Sequence, residues 1–132
     1  MNRRDFTLIS ASLATAFLFP SLHCTAPLPQ PDQGSVLPAE LSVVLDRNEI
    51  NQIGEKYRTI NTKADDIKGI TKLLFTNDKN QRYDGPDDEN SLKQYLSKKI
   101  MNDFATDKTI EIDGWVLSHT EAQQCAWLSL NP

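Results

Sequence analysis

TIEIDGWVLSHTEAQQCA, residues 109–126, changes its period in mid-run. Thr109-Ile110-Glu111-Ile112 alternates polar and apolar, the spacing of a strand with one buried face. Asp113-Gly114 supplies two residues that tolerate positive φ, as a two-residue hairpin turn requires, and Trp115-Val116-Leu117 returns. Ser118 follows with Glu121 three positions on, a capping-box spacing that marks both as structural caps. Beyond it Ala122, Cys125, Ala126 and Ser129 form a narrow face of small side chains, which lets a second helix come close. The expectation is a β-hairpin at about 109–117 that runs directly into a capped helix.

Upstream the period is helical. Asp46 through Ile60 carries Ile50, Ile53, Tyr57 and Ile60 on one face, with Asp46 and Glu49 as another capping box. Gly54 inside it costs about 1 kcal/mol against alanine, which points to close packing there. A second helix is predicted from Thr62 to Phe75, with Ile67, Ile70, Leu73 and Leu74 as its buried side. A third is predicted from about Asn90 to Ala105, burying Leu92, Leu96, Ile100 and Phe104, with Tyr95 and Met101 beside them and Lys93, Lys98 and Lys99 on the wet side. Between the last two lies a polar stretch with the turn signal Asp84-Gly85-Pro86. The fold class is mainly α: about four short helices, with one hairpin before the last.

The N-terminus reads differently. Asn2-Arg3-Arg4-Asp5-Phe6 precedes an apolar run of 13 residues, Thr7 to Phe19, broken by Pro20. That run is shorter than the ~20 residues a bilayer span needs, and the pattern is a signal peptide over 1–23. Arg3, Arg4 and Phe6 match the twin-arginine export signal, although Asn2 and Thr7 replace its usual Ser or Thr and its usual Leu. The alternative is an ordinary secretory signal that carries two arginines. Cys24 is a candidate for lipidation, although Ser21 and His23 depart from a lipoprotein signal. Residues 24–45 contain Pro27, Pro29, Pro31 and Pro38 and read as a Pro-rich tether, leaving a small helical domain over 46–132. The expected localisation is periplasmic, with membrane association through Cys24 or a partner.

The chain has 132 residues, 14 basic against 18 acidic, for a net charge of −4. A nucleic-acid partner would need a basic face and is not expected. Two cysteines and two histidines are too few for a zinc module. The acids Asp84, Asp87, Asp88 and Glu89 lack EF-hand spacing and read as dipole partners at a helix start, so no metal is expected. Cys125 and His119, six apart, point about 120° apart on a helix and do not make a nucleophile pair. Cys125 reads as a core residue, or as the partner of Cys24 in a disulfide. His119 falls in an exposed first turn. There is no glycine-rich phosphate loop or dinucleotide fingerprint, and neither a cofactor nor a catalytic residue is assigned. Trp115 reads as core packing or as an interface anchor. Trp127, off the small face of the last helix, is the better candidate for an exposed docking side chain.

Asp103-Phe104, Asp113-Gly114-Trp115-Val116-Leu117-Ser118, Thr120-Glu121-Ala122 and Cys125-Ala126, together with Arg3-Arg4-x-Phe6, resemble a family of small, largely uncharacterised bacterial proteins with twin-arginine signals. Their C-terminal signature has the form DF…DGWxLSxTEAxxCA. His119 stands where that pattern often has arginine, and Gln123-Gln124 where Arg-Leu is common. In overall plan the chain is also similar to the small subunits of membrane-associated sugar and alcohol dehydrogenases. In those complexes the small subunit bears the export signal and a flavin-bearing large subunit travels with it. The resemblance implies a non-catalytic accessory subunit or docking module, partnered by a larger oxidoreductase subunit. The alternative is a stand-alone periplasmic or lipid-anchored envelope protein. An enzyme is the weaker expectation.

Overall fold

The computed structural model describes residues 28–131. Arg3, Arg4, Phe6 and Cys24 lie outside the described residues. Six α-helices and one hairpin follow in chain order: α1 (Gln33–Val36), α2 (Leu41–Val44), α3 (Arg47–Ile60), α4 (Ile67–Leu74), α5 (Glu89–Ala105), β1 (Thr109–Ile112), β2 (Trp115–Ser118) and α6 (His119–Leu130), with a 3-10 turn at Thr62–Ala64. The mainly α class and the hairpin ahead of the last helix are as the sequence predicts.

The hairpin is antiparallel, with Ile112 opposite Trp115 and Ile110 opposite Leu117. Asp113 and Gly114 both take positive φ, +54° and +84°, which matches the right-handed twist of the arms. Ile112 and Leu117 bury the inner face. Ser118 then caps α6: its hydroxyl accepts from Glu121 N at 2.9 Å, and its own N–H donates to Glu121 Oε1 at 3.0 Å. Asp46 and Glu49 close the corresponding box at the start of α3.

Helix α6 sits at the centre. Helices α1, α3, α4 and α5 all pack on it, and every residue from Thr120 to Leu128 is buried. Against α3 the approach is at backbone distance. A Cβ added at Gly54 would overlap the Cys125 carbonyl and lie 2.8 Å from Ala126 N. The small face of α6 and the glycine of α3 are two halves of one contact.

Four expectations are corrected. Residues 33–45 are not tether: Asp32 caps α1 by accepting from Ser35 N at 2.8 Å, and Val36, Leu41 and Leu45 enter the core. The prolines constrain only their own positions, and the apolar residues between them carry their own spacing. The second helix begins at Ile67, because Asn61 caps the 3-10 turn and Asp66 caps α4 through Gly69 N. Ile67 and, at the end of α3, Ile60 are exposed. On α5 Leu92 and Leu96 are buried but Phe104 faces out. Residues four apart advance about 40° beyond a full turn, so by Phe104 the stripe has rotated about 120° from Leu92. Asp103 takes the inward place instead.

The polar stretch after α4 is held by aromatic packing. Phe75, Tyr83 and Tyr95 form a triad with centroid separations of 4.7–6.1 Å, and Tyr83 N donates to Phe75 O at 2.8 Å.

The two glycines at special positions fail differently when changed. Gly54→Ala forces α3 and α6 apart and is expected to cost about 3 kcal/mol, read by urea denaturation. Gly114→Ala meets open space and is expected to cost only about 1 kcal/mol, from its positive φ. Equal costs at the two sites would contradict the close helix contact.

Candidate functional site

The polar residues of the C-terminal segment converge at one junction. Asp103, near the end of α5, points its carboxylate at the first turn of α6. Its Oδ2 accepts from Thr120 N at 2.8 Å and from Thr120 Oγ1 at 2.6 Å. The Asp103 carbonyl accepts from Lys108 N at 2.8 Å, and His119 N donates to Lys108 O at 3.1 Å. Asp103, Ser118, Thr120 and Glu121 are all buried. The junction thus ties α5, the hairpin and α6 together with side chains from each. Burial pushes the Glu121 carboxyl above the usual carboxylate range, against the hydrogen bonds from Ser118, and the charges of Glu40 and Asp103 push the same way. Ser118 and Glu121 are the caps the sequence predicts. Asp103 and Thr120 were readable only as letters of the signature, because their contact spans 17 positions.

Beside the junction lies a polar cavity of about 360 Å³, whose wall includes Asp78, Lys99, Asp103, Lys108, His119 and Gln123. A neighbouring recess of about 230 Å³ shares Asn77, Asp78, Lys99 and Asp103. Asp78 pairs with Lys108 at 2.7 Å and accepts from Asn102 at 3.0 Å; the Lys108 contact holds its carboxyl below the usual range. Lys99 reaches from α5 to the end of α4, where Nζ donates to Leu73 O at 2.8 Å and Leu74 O at 2.9 Å. Burial brings its ammonium down to about 8, opposed by the charges of Asp103 and Asp78. Gln123 Oε1 is buried without a hydrogen-bond partner. Sequence reading missed Lys99, assigning it to the wet side with Lys93 and Lys98. Its ordering by two helix-end carbonyls left no local signal.

The predicted interface tryptophans change places. Trp127 is 5% exposed, and its Nε1 donates to Thr71 Oγ1 at 3.2 Å. It packs toward α4 because α6 is enclosed on more sides than its small face. Trp115 is 40% exposed at the hairpin tip, beside Val116 at 62%. The Lys56–Asp113 ion pair ties that tip to α3. His119 is exposed, as expected. Cys125 is buried at the Gly54 contact, and desolvation pushes its thiol up to about 12, which suits packing rather than nucleophilic chemistry. Asp84 and Asp87 are solvent-exposed, and Asp88 caps α5 by accepting from Ser91 N at 3.0 Å. Among the described residues no group of three or more His, Cys, Asp and Glu is placed to hold a metal ion.

Two buried groups make opposite contributions to stability in alkali. Between about pH 8 and its ordinary 10.5, Lys99 is protonated only in the unfolded chain, so stability rises with pH. From its ordinary 9.0 to about 12, Cys125 is protonated only in the folded chain, so stability falls with pH. Denaturation midpoints from pH 9 to 10, where both windows overlap, are therefore expected to change little in the wild type. They should rise in Cys125→Ala and fall in Lys99→Met. Parallel profiles in all three would overturn this assignment.

No known protein family, curated protein or solved structure matches this chain.

Proposed function

We propose that the protein is an exported, non-catalytic accessory subunit or docking module, delivered to the periplasm by Arg3, Arg4 and Phe6, and that its partner is a larger oxidoreductase subunit carried out with it. The observation that carries this reading is Trp115, left 40% exposed beside Val116 at the tip of a hairpin that Ile112 and Leu117 anchor in the core. A tryptophan held on a short, tied hairpin is a pre-ordered anchor, the residue type most enriched at interface hot spots. Met101, 71% exposed, and Phe104 add apolar surface on α5, which packs against β2. The twin-arginine route exports folded chains, which suits a subunit that leaves with its partner already bound. Among the described residues no helix is long and apolar enough to cross a membrane.

A second reading is favoured by the burial of Trp127, which removes half of the expected docking surface. In it the chain is a stand-alone periplasmic or envelope protein, anchored by lipid at Cys24.

The test is affinity capture of the mature chain from a periplasmic and membrane extract, alongside a Trp115→Asp/Val116→Asp variant of unchanged circular dichroism. The expected result is a near-stoichiometric oxidoreductase without its own export signal in the wild-type eluate, reduced at least tenfold with the variant. Recovery of the wild-type chain alone, or equal capture by both, would overturn the docking role.

A further inference from the structure

We propose that Lys99 is a carbonyl-capture residue, and that the cavity it lines takes a small polar aldehyde or ketone which condenses with Nζ to an imine. This does not rest on the docking reading, which concerns the hairpin surface.

The placement of Nζ carries the inference. It donates to two successive carbonyls, Leu73 O at 2.8 Å and Leu74 O at 2.9 Å. Two acceptors satisfy two N–H groups, the number a neutral amine has. The remaining position on nitrogen holds the third proton of the ammonium or the lone pair of the amine. Lys99 lines both recesses, about 230 and 360 Å³, so open space adjoins the side chain that carries Nζ. The carbonyl cradle keeps its hydrogen bonds when the ammonium becomes the amine, so the change to a nucleophile disrupts no packing. The size of the larger recess suits a ligand of a few carbons.

The wall also states what else that ligand should carry. Asn77, Asp78 and Asn80 line the larger recess with polar side chains that include hydrogen-bond acceptors. A hydroxyl next to the carbonyl group suits such a wall. The groups facing Lys99 are Tyr95, Lys98 and Asp103 on α5, Asp78 in the loop after α4, Lys108 ahead of β1, and His119 on α6.

The step balances without an outside oxidant or reductant. The Nζ lone pair attacks the carbonyl carbon, a C–N bond forms, and the π pair moves to oxygen. A proton passes from nitrogen to that oxygen to give the carbinolamine. Protonation of its hydroxyl lets water leave with the C–O bonding pair, producing the iminium. Its one remaining N–H keeps one of the two carbonyl contacts, and its positive charge faces Asp78 and Asp103, whose charges already act on Nζ. Burial, which brings the ammonium down to about 8, leaves about a tenth of Lys99 as free amine at pH 7, against well under a thousandth for an ordinary lysine.

The experiment uses the whole mature chain with glycolaldehyde and cyanoborohydride at pH 7, and site-resolved mass spectrometry of the reduced adducts. Lys99 is expected to label at least tenfold faster than the exposed Lys68 and Lys93, with a rate that reaches half its plateau near pH 8. Lys99→Arg, which keeps a donor at the α4 carbonyls, should lose the fast phase and leave the other lysines unchanged. Uniform labelling of all lysines, or Lys99 slower than the exposed ones, would overturn the proposal. Those wild-type rates decide it even where the variant does not fold.

Discussion

The backbone contact between α3 and α6 is the constraint the rest of the molecule answers to. Two helices meet this closely only where neither carries a side chain in the way. Gly54 provides the absence on one side, and the small face of Cys125 and Ala126 provides it on the other. With α6 set that deep, its whole circumference from Thr120 to Leu128 is enclosed, and each polar group on it needs an internal partner. Gln124 finds the Val36 carbonyl at 2.8 Å, Trp127 finds Thr71, and Thr120 finds Asp103. Much of the polar pattern of the C-terminal segment is thus a consequence of one close helix approach.

The junction around Asp103 shows how a short segment orders a larger one. A carboxylate taken out of water is costly unless several donors face it. Here the donors are the backbone and hydroxyl of Thr120, in the first turn of α6, where the helix dipole also favours negative charge. Ser118, two residues before Thr120, and Glu121, one after it, close the same turn. The direction of α5, the register of the hairpin and the start of α6 are fixed together, because moving any one strands a buried charge.

What could be read in the sequence is what neighbouring residues decide. The two capping boxes, the Asp113-Gly114 turn, the hairpin and the close contact implied by Gly54 all follow from spacings of four residues or fewer. The failures lie where distant partners decide. Trp127 looked exposed because the surroundings of α6 cannot be counted from α6 alone. Phe104 looked buried because a repeat of four was treated as one stripe, although the helix turns every 3.6 residues. Residues 33–45 looked like tether because proline outweighed Val36, Leu41 and Leu45, whose burial depends on α6 and α3. Lys99 looked like one more surface lysine, because its carbonyl partners lie 25 and 26 positions away.

The hairpin carries the same logic to the surface. Two strands of four residues are too few to stand alone in water, so the hairpin exists only as an attachment. It spends Ile112 and Leu117 on the core, and the Asp113 side chain is held to Lys56 on α3. Trp115 lies opposite Ile112 at the tip, where the cover of α3 runs out, and so its ring is only partly enclosed. Val116 points to the other face, which no element of the described chain covers. An isolated valine on a surface needs no explanation, but a tryptophan kept at the rim of a tied turn loses little further freedom on meeting a partner. The features that make the hairpin a dependent part of this fold are therefore the ones that hold an apolar tip in order at the surface.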